Sequence, residues 1–277
     1  MIDIPPEKVL KATIGARIAD GKNSLLLVDG VQGSGKSSWC LRMAEILFPR
    51  LFTVDYCCFN IQEFLNKFTS CPEGGLILYD EGSSFSSRRS STSINESMHQ
   101  VLSLARYTRK SVCICTPDSS FVDINYIRIF NFHGKTISFM RRSAPQWMRI
   151  RTGVKLKIVG EVLPGQNART VPMRYPFVTV PIRNKRTGQT YERDCKIREI
   201  WLTKCDDDLW NEYSKRKDQN FKRVLKDAQR TVDFALMKQE AKMSSGRADS
   251  DETPSKCSLL PTPVCATASG IQDILNR

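Results

Sequence analysis

The chain has 277 residues, 40% of them hydrophobic, which is enough for one α/β core and a smaller appended module. No run approaches the roughly 20 apolar residues of a membrane-spanning helix, and Met1 to Pro6 lack the charged and apolar regions of a signal peptide. We therefore expect a protein without a membrane span, placed in a cytoplasm or, if viral, in a virion. Lys and Arg number 42 against 29 Asp and Glu, a formal charge of +13. This surplus favours a polyanionic partner, although a soluble protein that is merely basic fits the charge equally well.

The ten cysteines do not form the spacing of a zinc site. None falls in a Cys-x-x-Cys arrangement, and His99 and His133 are the two histidines. Cys113 and Cys115 sit two apart in an apolar run, where cysteine commonly serves as a small buried hydrophobe. We expect free thiols and no cysteine-bound metal.

Apolar runs alternate with helical periodicity up to about residue 132. In chain order the pattern predicts a helix at 5–18, a strand at 24–29, a helix at 37–47, a strand at 51–55, a helix at 61–68, a strand at 76–80, a helix at 98–107, and strands at 112–116 and 127–132. Strands that alternate with helices at this spacing predict βαβ units and a parallel sheet.

The composition changes after about Met140, where basic residues crowd together and β-branched residues alternate with polar ones. This pattern predicts a small, basic, antiparallel appendage, with a hairpin turn at Asn184–Gly188. Asp206 and its two acidic neighbours predict the start of a long helix, and the Ser-, Thr- and Pro-rich end of the chain predicts disorder. The expected organisation is a core at 1–140, an appendage at 141–205, a helix at 206–243 and a tail at 244–277.

The segment Gly30–Ser37 reads Gly-x-x-x-x-Gly-Lys-Ser between a predicted buried strand and a predicted helix. This is the P-loop pattern, in which glycines let backbone N–H groups wrap around phosphates and the helix N-terminus adds partial positive charge. Lys36 is expected to neutralise the β- and γ-phosphates of ATP, and the Ser37 hydroxyl to ligate Mg²⁺. The residues expected at the nucleotide are Gly30, Gln32, Gly33, Ser34, Gly35, Lys36, Ser37 and Ser38.

Four apolar residues followed by Asp80 and Glu81 form a Walker B pattern. Asp80 is expected to hold Mg²⁺, and Glu81 to polarise the attacking water. The adjacent glutamate favours ATPases with an additional strand between the two motifs over GTPases and small kinases. The nearest candidate for the guanine-reading motif Asn-Lys-x-Asp, at 184–187, lacks the aspartate.

Further catalytic candidates come from isolated polar residues. Thr116 ends a predicted strand where such ATPases place a γ-phosphate sensor, and an ordinary strand-terminal threonine before Pro117 fits equally well. Arg106 and Arg109 are candidates for a finger that reaches a neighbour's nucleotide, although a solvated surface position is the more frequent fate of arginine. Arg88 and Arg89 are additional candidates for a finger or a DNA contact.

These motifs resemble those of the zonular occludens toxin-like and FtsK/HerA-like ATPases of phages, plasmids and archaea. The resemblance covers roughly Ser24 to Phe132 and includes Asp80-Glu81-Gly82, 86–90, Leu104–Tyr107 and Thr116-Pro117. It implies a RecA/ASCE-like P-loop NTPase core with a parallel sheet, ATP hydrolysis, and action on DNA as a packaging, extrusion or translocation motor, often as a hexamer. The chain departs from toxin-type members by having no predicted membrane span, and from many FtsK/HerA-like members by having Thr-Pro in place of Thr-Gln.

The sequence therefore favours a homo-oligomeric ATPase acting on DNA through the basic region from Arg141 to Arg198. The basic residues of this region are Arg141, Arg142, Arg149, Arg151, Lys155, Lys157, Arg183, Lys185, Arg186, Arg193, Lys196 and Arg198. One alternative is an ATP-dependent assembly or regulatory protein that binds a protein or RNA. A third hypothesis, a nucleoside or nucleotide kinase, lacks a recognisable acceptor site in the sequence.

Overall fold

The computed structural model describes residues 4–80, 93–119, 122, 127–137, 151–159, 173–183, 186 and 188–245. Its helices are α1 (Pro6–Leu10), α2 (Ala16–Ala19), α3 (Lys36–Leu47), α4 (Ile61–Ser70), α5 (Ser93–Leu104) and α6 (Asp207–Ser245), with a π-helical turn at Lys11–Gly15 and a 3₁₀ turn at Val54–Tyr56. Its strands are β1 (Leu25–Asp29), β2 (Cys57–Cys58), β3 (Leu76–Tyr79), β4 (Ser111–Thr116), β5 (Phe132–Ile137), β6 (Arg151–Val159), β7 (Met173–Arg174), β8 (Phe177–Arg183), β9 (Thr190–Lys196) and β10 (Ile200–Thr203).

The main sheet has the strand order β10-β6-β5-β1-β4-β3-β2, and β7 pairs with the end of β6. The five strands β5-β1-β4-β3-β2 are parallel, which confirms the predicted parallel core. β4 lies between β1, which precedes the P-loop, and β3, which precedes Asp80. This is the additional strand that the Walker B pattern predicted for an ATPase core.

The central strand β1 is buried along its whole length because both faces of the sheet are covered. Successive side chains of a strand point to opposite faces, so Leu26 and Val28 pack with Trp39 of α3 in one apolar cluster. Leu25 and Leu27 belong to the cluster on the other face, with Phe64 and Met98. Each such fully buried aliphatic side chain contributes about 1.5–3 kcal/mol to stability.

Two predicted strands are wrong in position. The backbone N–H groups of Leu51 and Phe52 donate to the carbonyl of Phe48, continuing the end of α3 instead of joining a ladder. The strand beside β3 is the two-residue β2, six residues after the start that the sequence predicted. The second predicted strand, 127–132, lies before the observed strand β5, which begins at Phe132. Ile127 and Ile129 pack against the second apolar cluster, whereas the less apolar segment from Phe132 onward pairs with β1.

The predicted hairpin is confirmed as β8 and β9, which pair antiparallel over seven residues each and form a small separate sheet. β6 and β10 instead extend the main sheet, because β6 pairs antiparallel with β5 and β10 pairs antiparallel with β6. Val154 and Leu156 of β6 and Leu202 of β10 are buried in the first apolar cluster. Part of the basic segment after Met140 is therefore continuous with the core sheet.

The chain divides into two units at Lys222. The first unit contains the sheets and the first 16 residues of α6, from Asp207 to Lys222. In the second, the structure describes the helical segment 223–245, with exposed apolar side chains at Val232, Phe234 and Met237. Among the described residues, no helix is sufficiently long and apolar to span a membrane.

Candidate nucleotide site

The P-loop connects the buried end of β1 to the first residue of α3, Lys36. Gly35 has φ +86°, and a Cβ atom there would lie 2.5 Å from Thr152 Oγ1 on β6. Gly30 has φ +152°, and a Cβ atom there would overlap Thr136 Oγ1 on β5. Because the loop is packed this closely against β5 and β6, both positions require glycine, and the loop backbone is held at the N-terminus of α3 where a phosphate binds favourably.

Lys36 bends back over the loop that precedes it. Its Nζ donates to the carbonyl oxygens of Gly30, at 2.6 Å, and Val31, at 2.9 Å. The ammonium group is thus already at the loop, and phosphate oxygens can replace these two carbonyls as its acceptors. Of the other predicted loop residues, Gln32 and Gly33 are exposed, Ser38 is half-buried, and Ser34 Oγ lies 2.7 Å from Thr136 Oγ1.

Ser37 and Asp80 meet at the mouth of the site, as a shared Mg²⁺ requires. The Ser37 hydroxyl lies 2.9 Å from Asp80 Oδ1 and 3.0 Å from Oδ2. Asp80 directly follows β3, is 8% exposed, and is positioned by a backbone hydrogen bond from its N–H to the carbonyl of Cys58. A hydroxyl and a carboxylate are oxygen donors of the kind that Mg²⁺ prefers, so these two residues fit the ion.

Two residues of α6 that the sequence did not predict for the site also contact Asp80. Tyr213, which is 1% exposed, donates its phenolic hydrogen to Asp80 Oδ2, and Lys217 Nζ lies 2.7 Å from the same oxygen. Burial, reinforced by the negative charge of Asp80, raises the pKa of Tyr213 well above its ordinary value, so the phenol stays a donor. The sequence signals were the place of Tyr213 on the apolar face of a helix and the spacing of four residues to Lys217.

The first turns of α6 are held beside Asp80 by a second set of contacts. Arg216 Nη2 lies 2.9 Å from Glu63 Oε1 on α4, and Arg216 Nη1 donates to the carbonyl of Val54. Tyr213 packs between the rings of Phe59, 5.8 Å away, and Trp210, 5.7 Å away. These contacts explain how a residue more than a hundred positions downstream reaches the Walker B aspartate.

Thr116 and Asp29 lie side by side at the carboxyl ends of β4 and β1. Thr116 is fully buried and its hydroxyl donates to the carbonyl of Asp118, so it has a structural partner beside the site. Asp29 is 3% exposed, with Oδ2 3.4 Å from His133 Nε2 and 3.3 Å from the N–H of Ser119. Burial alone would raise the pKa of Asp29, but the contacts with His133 and Ser119 outweigh it and hold that pKa below its usual value.

Arg106 and Arg109 lie at the other end of the sheet. They follow α5 and precede β4, whereas the P-loop follows the carboxyl end of the neighbouring parallel strand β1. A six-residue strand at about 3.3 Å per residue separates them from the P-loop edge by roughly 16 Å. Neither arginine is therefore placed at the nucleotide of its own chain, and action on a neighbour's nucleotide stays a prediction. Glu81, Arg88 and Arg89 lie outside the described residues.

Three cysteine thiols meet in the core behind the P-loop helix. Cys40 Sγ on α3 lies 3.5 Å from Cys115 Sγ and 3.4 Å from Cys113 Sγ on β4. Burial raises the pKa of the Cys40 and Cys113 thiols well above the usual range, so they are protonated at neutral pH. This is the form in which cysteine packs as a small hydrophobe.

No protein-family model matches the chain, and no curated protein sequence matches it significantly. It is similar to the solved N-terminal domain of zonular occludens toxin from Neisseria meningitidis, with 13% identity over 55% of this chain and 92% of that one, and a TM-score of 0.36. It is also similar to the genome packaging NTPase B204 from Sulfolobus turreted icosahedral virus 2 bound to AMPPCP (10% identity, 57% and 100% coverage, TM-score 0.34) and to the flagellar accessory protein FlaH from Methanocaldococcus jannaschii (14%, 58% and 87%, TM-score 0.33).

Similarity at this level says nothing about substrate. The strand order of this chain, its glycine-dependent loop after β1, and the contact between Ser37 and Asp80 are together the features of a P-loop NTPase fold.

Proposed function

We propose that this protein hydrolyses ATP and acts on DNA, as a motor of the packaging or translocation type. The observation that carries the nucleotide part is the Ser37 hydroxyl, 2.9 Å and 3.0 Å from the two carboxylate oxygens of Asp80, directly after Lys36 at the P-loop. The place of β4 between β1 and β3 supports a hydrolysing ATPase over a GTPase or a small kinase.

In this proposal the loop N–H groups and Lys36 bind the β- and γ-phosphates, with Lys36 exchanging the carbonyls of Gly30 and Val31 for phosphate oxygens. Ser37 and Asp80 would hold Mg²⁺, which neutralises phosphate charge when bound. Glu81, next to Asp80, accepts a proton from water as the water oxygen attacks the γ-phosphorus. The bond from that phosphorus to the bridging oxygen breaks, and ADP and phosphate leave.

The DNA part of the proposal rests on two properties of the sequence. The formal charge is +13, which favours a polyanionic partner. The motifs from Ser24 to Phe132 resemble those of ATPases that move DNA. Oligomer formation, including a hexamer, belongs to the same proposal, because motors of this kind surround the strand that they move.

A second candidate is an ATP-dependent assembly or regulatory protein. The observation that favours it is the exposed apolar surface of the second unit, where Phe234 is 69% and Met237 66% exposed. Large apolar side chains left exposed in this way often mark a protein-binding surface.

The deciding experiment measures ATP turnover of the full chain with and without single-stranded DNA, duplex DNA and RNA, over a range of salt concentrations. The proposal expects that DNA stimulates hydrolysis and that this stimulation is weaker at high salt. Lys36→Ala should abolish hydrolysis. Lys8→Ala is the matched control, because Lys8 is an exposed lysine on α1. Hydrolysis that no nucleic acid changes would favour the assembly protein.

A further inference from the structure

A cavity of about 930 Å³ opens at the end of the sheet opposite the P-loop. Its wall includes Leu25 and Phe132, the first residues of the parallel strands β1 and β5, and Ile158 near the end of the antiparallel β6. The nucleotide site lies at the carboxyl ends of the parallel strands. The cavity is therefore a separate site on the same unit.

Five basic side chains line this cavity. They are Arg17, Lys22, Arg106, Arg109 and Arg128. No aspartate or glutamate lines it among the described residues, and the acidic partners of Lys22 and Arg109, Asp20 and Glu73, are exposed residues outside its wall. The cavity thus concentrates positive charge, which attracts anions.

Two of the guanidinium groups repel each other. Partial burial, reinforced by the positive charge of Arg106, lowers the pKa of Arg17. Arg17 cannot move away freely, because its Nε donates to the carbonyl of Asn23 at 2.6 Å. An anion bound between the two arginines would relieve this repulsion.

The wall also contains an unused hydrogen-bond donor. Asn23 is 2% exposed, lines the cavity, and its Nδ2 has no hydrogen-bond partner in the described part of the chain. Buried polar atoms are usually paired, so this amide is a donor that an acceptor entering the cavity wall would satisfy. An anionic oxygen is the complementary acceptor.

Exposed aromatic rings accompany the charge. Tyr107 is 83% exposed and Phe177 is 59% exposed, and both line the cavity. Basic and aromatic side chains also lie next to one another beyond the cavity. Phe177 pairs with Lys196 in the β8–β9 ladder. The Tyr175 ring lies 5.3 Å from Lys196 Nζ and 5.7 Å from Lys157 Nζ. A positively charged groove with exposed aromatic rings is the arrangement that binds single-stranded nucleic acid, since phosphates meet the cations and unpaired bases stack on the rings.

We propose that this cavity binds single-stranded nucleic acid, with phosphates at Arg17 and Arg106 and bases stacked on Tyr107 and Phe177. The inference deepens the proposed function, because it assigns a site to the nucleic acid on which the ATPase acts. A single strand is favoured over a duplex, because paired bases are already stacked within the helix and do not offer their faces to Tyr107.

The test is fluorescence anisotropy of a labelled oligo(dT) with the full chain and no nucleotide. Tyr107→Ser should weaken binding by about 5- to 150-fold, whereas Tyr107→Phe, which keeps the stacking ring, should bind as the wild type does. Arg106→Ser should also weaken binding and reduce the slope of log affinity against log salt by about 0.7 for each lost phosphate contact. Arg50→Ser, an exposed arginine outside the cavity wall, is the control that should change little. Thermal melting should show that the variants remain folded, because both substituted side chains are exposed.

Four results would overturn the inference. Unchanged oligo(dT) affinity in Tyr107→Ser and Arg106→Ser would place any single-strand site elsewhere. If Arg106→Ser weakened the binding of oligo(dT) and of duplex DNA equally and Tyr107→Ser had no effect, the surface would bind nucleic acid by charge alone, without base stacking. ATP turnover lost in Arg106→Ser and restored by mixing with Lys36→Ala chains would make Arg106 a finger to a neighbour's nucleotide. ATP hydrolysis without any binding of oligo(dT) by the wild type would end this inference while leaving the ATPase part of the proposed function in place.

Discussion

The two ends of the main sheet are both suited to phosphate, but by different physical means. At the carboxyl end, glycines with positive φ hold backbone N–H groups at the start of α3, and the acidic side chains of Asp29 and Asp80 are almost completely buried. At the amino end, the cavity is lined by cationic side chains and exposed aromatic rings. A rigid backbone recognises one phosphate geometry, whereas long side chains in water attract any polyanion and lose affinity as salt screens them. The first end thus suits a defined nucleotide, and the second suits the single strand that we propose binds there.

Stopping the chemistry at the carboxyl end alone tests whether the two ends of the sheet act independently. Glu81→Gln should keep ATP binding and lower turnover by about 10²- to 10⁴-fold, the usual effect of removing a general base. Steady-state phosphate release and calorimetric ATP binding measure the two quantities. Oligo(dT) affinity at the amino end should not change. Normal turnover in this variant would show that Glu81 is not the base.

Lys36→Ala tests whether nucleotide binding depends on the P-loop. The substitution removes the ammonium group that lies 2.6 Å from the carbonyl of Gly30. In the proposed complex this ammonium would pair with phosphate, and truncating one partner of such a charge pair costs about 2–5 kcal/mol, or about 30- to several thousand-fold in affinity. Calorimetry with ATP and Mg²⁺ measures this loss, and Lys8→Ala is the control. An unchanged ATP affinity would disprove the P-loop assignment.

Lys217→Met tests the contact that α6 makes with Asp80. The Lys217 ammonium lies 2.7 Å from Asp80 Oδ2 and is half exposed, so it occupies a carboxylate oxygen that the proposed Mg²⁺ site uses. Since exposed ion pairs are worth about 0.2–1 kcal/mol, its removal should lower the Mg²⁺ concentration for half-maximal ATP binding by about 1.5- to 5-fold. Lys222→Met, an exposed lysine farther along α6, is the matched control. A higher Mg²⁺ requirement would mean that Lys217 supports the site instead of competing for it.

The smallest expected effect is on stability in acid. The pKa of Asp29 is held below its usual value, so this carboxylate stabilises the fold above its unfolded pKa of about 4, and the contribution is lost as pH falls through the lower folded value. Thermal melts from neutral to acidic pH should therefore show a smaller loss in Asp29→Asn than in the wild type. Asp20→Asn, whose carboxylate is 64% exposed in a surface ion pair, should behave as the wild type. Identical profiles for all three proteins would contradict the role given to Asp29.

Local patterns made the nucleotide end predictable from the sequence. The phosphate loop needs glycines, a lysine and a hydroxyl within eight consecutive positions, and a buried parallel strand must be continuously apolar, so both leave a direct trace at Gly30–Ser37 and at Leu25–Asp29. The strand positions at 51–55 and 127–132 were wrong because short apolar runs form a helix end or a loop as readily as a strand. Local hydrogen bonds to Phe48 turned Leu51 and Phe52 into the end of a helix, whereas pairing with the distant strand β1 decided that β5 begins at Phe132.

Tertiary structure alone decided which groups surround Asp80 and which surround the cavity. Tyr213 and Lys217 lie 133 and 137 positions from Asp80, and the cavity joins residues from α2, the end of α5, the start of β5 and β8. No periodicity in the sequence relates such segments, because their contacts depend on how α6 docks and on which strand ends share an edge of the sheet. The residues that give the P-loop its chemistry are therefore consecutive in the sequence. The positive charge of the opposite cavity exists only because folding brings separate arginines together.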